Sequence, residues 1–222
     1  MKGKLFFASL LMFAVYAAHG QSNTNSTKTD EVTISLDNVA FEEGAYMSVL
    51  NSDNEVIALY KRFENQSGIV KSMRVFDKEK HLKFELVPII TETGFKIHIR
   101  DADKTRGLLS ISASLSGFKM KFDAQVDYFG KPYGFTYASK IGIGKVRVNE
   151  TVQYNGRDVI SSRSKVSALD GVDVSPIVVD RTFYEENQLD VANWVLMLEL
   201  LEEMSLESSR YNNARNTRLR SE

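Results

Sequence analysis

Apolar and polar residues alternate along most of the chain. Leu82, Phe84 and Leu86 alternate with Lys83 and Glu85, and Phe95, Ile97 and Ile99 alternate with Lys96, His98 and Arg100. Phe118, Met120 and Phe122 repeat the pattern with Lys119, Lys121 and Asp123. Successive side chains of a strand point to opposite faces, so this alternation marks half-buried antiparallel strands. The same reading places strands at Val56–Tyr60, Met73–Phe76 and 108–114, with further segments at 124–129, 134–139, 143–148, 150–154, 157–163 and 174–180. Residues 31–52 hold one or two more, with a turn at Gly44. Polar and glycine-bearing stretches between them, such as Glu64–Gly68 and Asp77–Lys80, carry turn chemistry. Short strands at regular spacing predict a mainly β fold, a closed antiparallel barrel or meander.

The C-terminal part breaks the alternation. Leu189 to Leu206 contains neither glycine nor proline, and Trp194 to Leu198 is apolar on every side. A helix that is apolar all round is a buried helix, so a core helix is expected over 188–206, with Asp190 complementing its N-terminus. Glu202, Glu203 and Glu207 return it to solvent, and the polar residues 207–222 are expected to form a disordered tail.

The N-terminal part changes the picture of where the protein works. Lys2 and Lys4 precede an apolar run from Leu5 to Ala18, and Ala18-His19-Gly20 offers small residues at a cleavage site. Residues 1–20 therefore read as an export signal, with Gln21 as the expected mature N-terminus and a secreted or periplasmic location. Residues 21–30 read as a disordered polar leader and 31–206 as a single domain. Loss of Lys2 and Lys4 with the export signal takes the net charge from −1 to −3, which gives no pull toward nucleic acid. No later stretch is apolar enough to span a membrane. The chain has 0 cysteines, which excludes disulfides, thiol nucleophiles and thiolate metal sites.

Strands followed by one hydrophobic C-terminal helix resemble the tubby-like superfamily, which includes tubby C-terminal domains, LURP-one-related proteins and phospholipid scramblases. The resemblance runs over about residues 55–205. It is carried by Leu59-Tyr60-Lys61-Arg62-Phe63, by the strand, turn and strand from Val75 to Leu86, and by Leu189 to Met204. Lys80 stands where the family's turn has glycine. The resemblance implies a barrel wrapped around a central helix, with little lumen left for a ligand. It also implies a phosphoinositide-type basic patch, for which Lys61, Arg62, Lys71 and Arg74 are the candidates if their strands pair. Lysine and arginine on exposed strand faces also serve solubility and edge protection.

Candidate chemistry is otherwise sparse. His81 and His98 sit beside lysines in alternating strands, without a recognisable nucleophile or acid partner. Asp101 to Gly107 begins like a calcium loop, but Arg106 and Ser112 stand where glycine and glutamate are needed, so a hairpin turn is expected. Asp170-Gly171 also reads as a turn, and Asp180, Glu185 and Glu186 lack ligand spacing. Gly142-Ile143-Gly144 lacks the strand-to-helix setting of a phosphate loop. Asn65 and Asn149, like Asn25, lie in glycosylation sequons that matter only in a eukaryotic host. The expectation is a non-enzymatic binding or interaction module without cofactor or metal, whose partner is a protein or a lipid surface. The alternatives are an anionic lipid-headgroup or membrane-surface binder, and a hydrolase with no recognisable motif.

Overall fold

A computed structural model of the chain describes residues 30–37, 45–116, 119–142, 145–167, 171–174 and 176–218. The export signal, most of the polar leader, Gly44, Ile143, Gly144 and Asp170 lie outside the described residues. The elements are β1 Glu31–Asp37, β2 Met47–Asn51, β3 Val56–Glu64, β4 Val70–Phe76, β5 Leu82–Thr91, β6 Gly94–Asp101 and β7 Arg106–Ser116. They continue with β8 Lys119–Asp127, β9 Tyr133–Gly142, β10 Lys145–Tyr154, β11 Arg157–Ser167, β12 Gly171–Val174, β13 Ile177–Asp180 and α1 Arg181–Arg218.

Twelve strands form a nearly closed antiparallel barrel in the order β8-β7-β6-β5-β4-β3-β2-β1-β13-β11-β10-β9, with β12 paired to β11 off this path. The alternation read in the sequence sets the two faces. Phe84 and Leu86 are buried, while Lys83 and Glu85, which alternate with them, are half-exposed. Ile97 and Ile99 are buried, while Lys96 and Arg100 are exposed.

Four hairpins share one turn. Asn51, Asn65, Asp77 and Asp101 each accept, through Oδ1, the backbone N–H four residues on, at 2.7–3.0 Å. The residue three places on is left-handed in each: Asn54 (φ 60°), Gly68 (φ 75°), Lys80 (φ 68°) and Lys104 (φ 64°). Lys80 therefore occupies the conformation that the resemblance assigns to glycine, at a cost of about 1 kcal/mol for a residue with a Cβ.

The barrel closes imperfectly between β8 and β9. A tight turn links them, with Phe129 (φ 55°) and Gly130 (φ 71°) at its tip and a single bridge between Tyr128 and Lys131. No ladder joins these two strands among the described residues. Instead the Phe122 and Tyr137 rings meet edge to face, their centroids 4.6 Å apart.

Helix α1 enters where β13 ends and runs along the lumen. Asp180 caps it, its Oδ1 accepting the Phe183 N–H at 2.8 Å. The helix bends at Asn187 (φ −135°, ψ 34°), whose Nδ2 donates to the Phe183 carbonyl at 3.0 Å. Every residue from Val191 to Leu198 is buried, as a helix apolar on all sides requires. The helix is longer than the 188–206 expected from sequence. It begins before the bend and runs on to Arg218, through residues expected to be a disordered tail; no glycine or proline interrupts it. Among the described residues no helix is long and apolar enough to cross a membrane.

Candidate functional site

The lumen is filled by side chains. At the end where α1 enters, Trp194 packs against Tyr128, Tyr133 and Phe135, with ring centroids 5.7, 5.4 and 6.1 Å away. Asp190, expected from sequence to serve the helix terminus, has a different part here. It accepts the Tyr133 hydroxyl at 2.8 Å, the Tyr128 hydroxyl at 3.3 Å and the Lys131 ammonium at 2.6 Å. Asn193 Nδ2 donates to the Tyr128 hydroxyl at 2.8 Å. Burial first, then the Asp190 charge, pushes both tyrosine hydroxyls far above their ordinary range, so they remain donors at any physiological pH. Asn193 Oδ1 and Trp194 Nε1 are buried without a hydrogen-bond partner.

At the far end the lumen turns acidic. Glu199 and Glu203 of α1 and Glu150 of β10 are half-buried, and Glu202 remains in reach of solvent. Arg62 reaches inward, its Nη1 2.6 Å from Glu203 and its Nε 3.2 Å from Glu64. Burial and the Glu202 charge push the Glu150 carboxyl up to about 8. Burial, Glu202 and Glu203 push Glu199 up to about 7, against the lowering effect of Arg62. Tyr137, beside the β8–β9 gap, is pushed up to about 12 by burial and by Glu150 and Glu202.

The outer wall carries the rest of the basic residues named from sequence. β3 and β4 pair as those residues require, with Lys61 opposite Arg74. Lys61 Nζ lies over the Tyr46 ring at 4.2 Å, and the Arg74 guanidinium lies over Phe63 at 4.8 Å while its Nε meets Glu85 at 3.1 Å. Lys71 is exposed at the start of β4. Arg62 does not join them, because it shares the inward side of β3 with the buried Ala58 and Tyr60 and is tied to the helix. The outer wall instead adds cations absent from the sequence-level patch: Lys96 and Arg100 of β6 and Arg106 of β7, all exposed. Arg100 and Arg106 line a depression of about 200 Å³ together with Val87, Ile89 and His98. A crevice of about 350 Å³ lies beside β13, which pairs with β11 over only Ile160–Val179 and Ser161–Val178. Asp30, Glu31, Asp158 and Asp180 line it together with the inward-facing Glu150 and one cation, Arg163, and Asn149 also lines it.

Asp77, Glu79 and His81 bring ligand atoms within 4.8 Å of one another on the β4–β5 turn. The turn itself accounts for Asp77: Oδ1 accepts the His81 N–H, and Oδ2 meets His81 Nδ1 at 3.2 Å and Lys83 Nζ at 3.0 Å. Desolvation pushes the Asp77 carboxyl up, but the His81 and Lys83 contacts together outweigh it and hold the carboxyl down at about 2. Asn65 likewise spends its side chain on a turn, and Asp101 forms the hairpin expected in place of a calcium loop. Neither imidazole hydrogen-bonds a hydroxyl among the described residues.

No protein-family model, curated protein or solved structure matches the chain.

Proposed function

We propose that the protein is an exported, non-enzymatic binding module that makes its contacts on the outside of the barrel. The observation that carries this reading is the filled lumen: α1 buries Val191 to Leu198 on every side, and Trp194 is 0% exposed. A barrel plugged by its own helix leaves little interior space for a ligand among the described residues, so recognition falls to the wall and the turns. The same architecture, with Lys80 in the left-handed position, supports a tubby-like relationship. The chain recovered from its host's secreted or periplasmic fraction is expected to show, by native mass spectrometry, a mass excess that denaturation removes. The bare chain throughout, or covalent trapping of a serine by a fluorophosphonate probe, contradicts the reading.

A second reading, binding to an anionic lipid surface, is favoured by one observation. Lys61, Arg74, Lys96, Arg100 and Arg106 share a wall with Phe63 and Ile89, which are 39% and 41% exposed. Cations beside exposed apolar groups suit an anionic interface. Vesicle binding that weakens with added salt supports this reading; equal binding to neutral vesicles contradicts it.

A further inference from the structure

The depression on β5, β6 and β7 holds a charge arrangement that the fold itself does not call for. Arg100 and Arg106 are direct partners across β6 and β7. Like charges directly opposite one another destabilise a strand pair. Glu85, the carboxylate that Arg100 meets, is shared: its Oε2 lies 3.4 Å from Arg100 and its Oε1 3.1 Å from Arg74. Arg106 makes no ion pair among the described residues. Edge protection does not explain these cations, because β6 is paired on both sides, by β5 and by β7. Beside the two guanidiniums lies apolar surface: Val87 faces His98 in register, and Ile89, one outward position further along β5, is 41% exposed.

We propose that this depression binds an anionic group on a short aliphatic stem, an alkyl carboxylate. The inference rests on the binding-module reading and assigns that module a site and a ligand class. A guanidinium fork matches a carboxylate with two parallel N–H donors, and two such forks converge here. The stem lies on Val87 and Ile89 and removes their surface from water. The volume, about 200 Å³, is below that of pockets enclosing whole drug-sized ligands, so only a short stem fits.

The test is a titration of the full chain with octanoate, octanol and acetate, following the imidazole signals by NMR. The chain has 3 histidines, so the His98 ring is readily assigned. Octanoate is expected to shift the His98 signal saturably, with octanol and acetate at least about tenfold weaker because each lacks half of the recognised group. The double variant Arg100→Gln/Arg106→Gln is expected to weaken octanoate at least about tenfold without lowering the thermal melting, since both side chains are exposed and their mutual repulsion is relieved. Glu85→Gln releases Arg100 and is expected to tighten binding, a gain that misfolding cannot imitate. A His98 signal silent to octanoate, a response to acetate equal to that of octanoate, or unchanged affinity in the double variant overturns the proposal. So does binding to phosphatidylglycerol vesicles without any response to soluble octanoate. Each of these outcomes strikes the site alone; trapping by the fluorophosphonate probe strikes the module reading beneath it.

Discussion

The helix carries carboxylates into both ends of the lumen, and the barrel treats them in opposite ways. At the entry end a single one, Asp190, meets two hydroxyls and an ammonium in the midst of packed rings. At the far end Glu199, Glu202 and Glu203 join Glu150, with Arg62 as the cation that acts on Glu199 and bonds Glu203. The far-end residue Tyr137 also adjoins the β8–β9 boundary, which has no ladder among the described residues. A buried charge is tolerated where its partners satisfy it and becomes a pH-dependent burden where like charges crowd it. The entry end therefore anchors the fold, while the far end sets its response to pH.

The largest expected effect lies at the entry end. Trp194→Ala removes a ring packed by three others and is expected to cost about 3–5 kcal/mol in chemical denaturation. Trp194→Phe sharpens the point, because it keeps the stacking and deletes an indole N–H that has no partner; its cost is expected to be well under half as large. Asp190→Ala strands two buried hydroxyls and is expected to cost about 3 kcal/mol. Equal stability of that variant and the parent would break the account of this end.

At the far end, Arg62→Gln is expected to cost about 2 kcal/mol at pH 8 and less at pH 5, where Glu199, on which its charge acts, is protonated. The pH profile of the parent follows from Glu150 and Glu199. Their folded values, about 8 and about 7, lie above the ordinary 4.5, so the folded state holds protons that the unfolded chain releases. Stability is full below about pH 4.5, falls as pH rises and levels off above about 8. Asp77 acts the other way: its value, about 2 against 3.8, adds stability above pH 3.8 that is lost toward pH 2. Maximum stability is therefore expected near pH 4–5. Glu150→Gln is expected to flatten the fall between pH 5 and 8 in urea titrations. A profile that rises through this range contradicts the far-end account.

Much of this was legible in the sequence. Alternation located the strands, and the apolar run around Trp194 located the buried helix. Residues 119–127, read as parts of two segments that meet at 123 and 124, are one strand, as are 145–154, read as two segments on either side of Asn149. Asn149 looked like a break because it is an exposed polar residue on the outward face of a continuous strand. The inward turn of Arg62 had a signal, its shared parity with Ala58 and Tyr60. The Arg100–Arg106 pair had one too, since the turn begun by Asp101 places those two residues on either side of it. The gathering of Glu150 with the helix glutamates had none, because it depends on which strand faces which turn of α1. The early start of the helix was hidden by the polar run Glu185 to Gln188 around the bend.

The claim on which the rest depends is that α1 fills the lumen, and the chain's 1 tryptophan reports on it directly. Fluorescence of Trp194 in the native protein, titrated with acrylamide and iodide, measures its access to solvent. The account predicts a blue-shifted emission that neither quencher reduces until the protein unfolds. A water-like emission, quenched in the native state, would mean that the helix does not occupy the lumen and that the interior is open to a ligand.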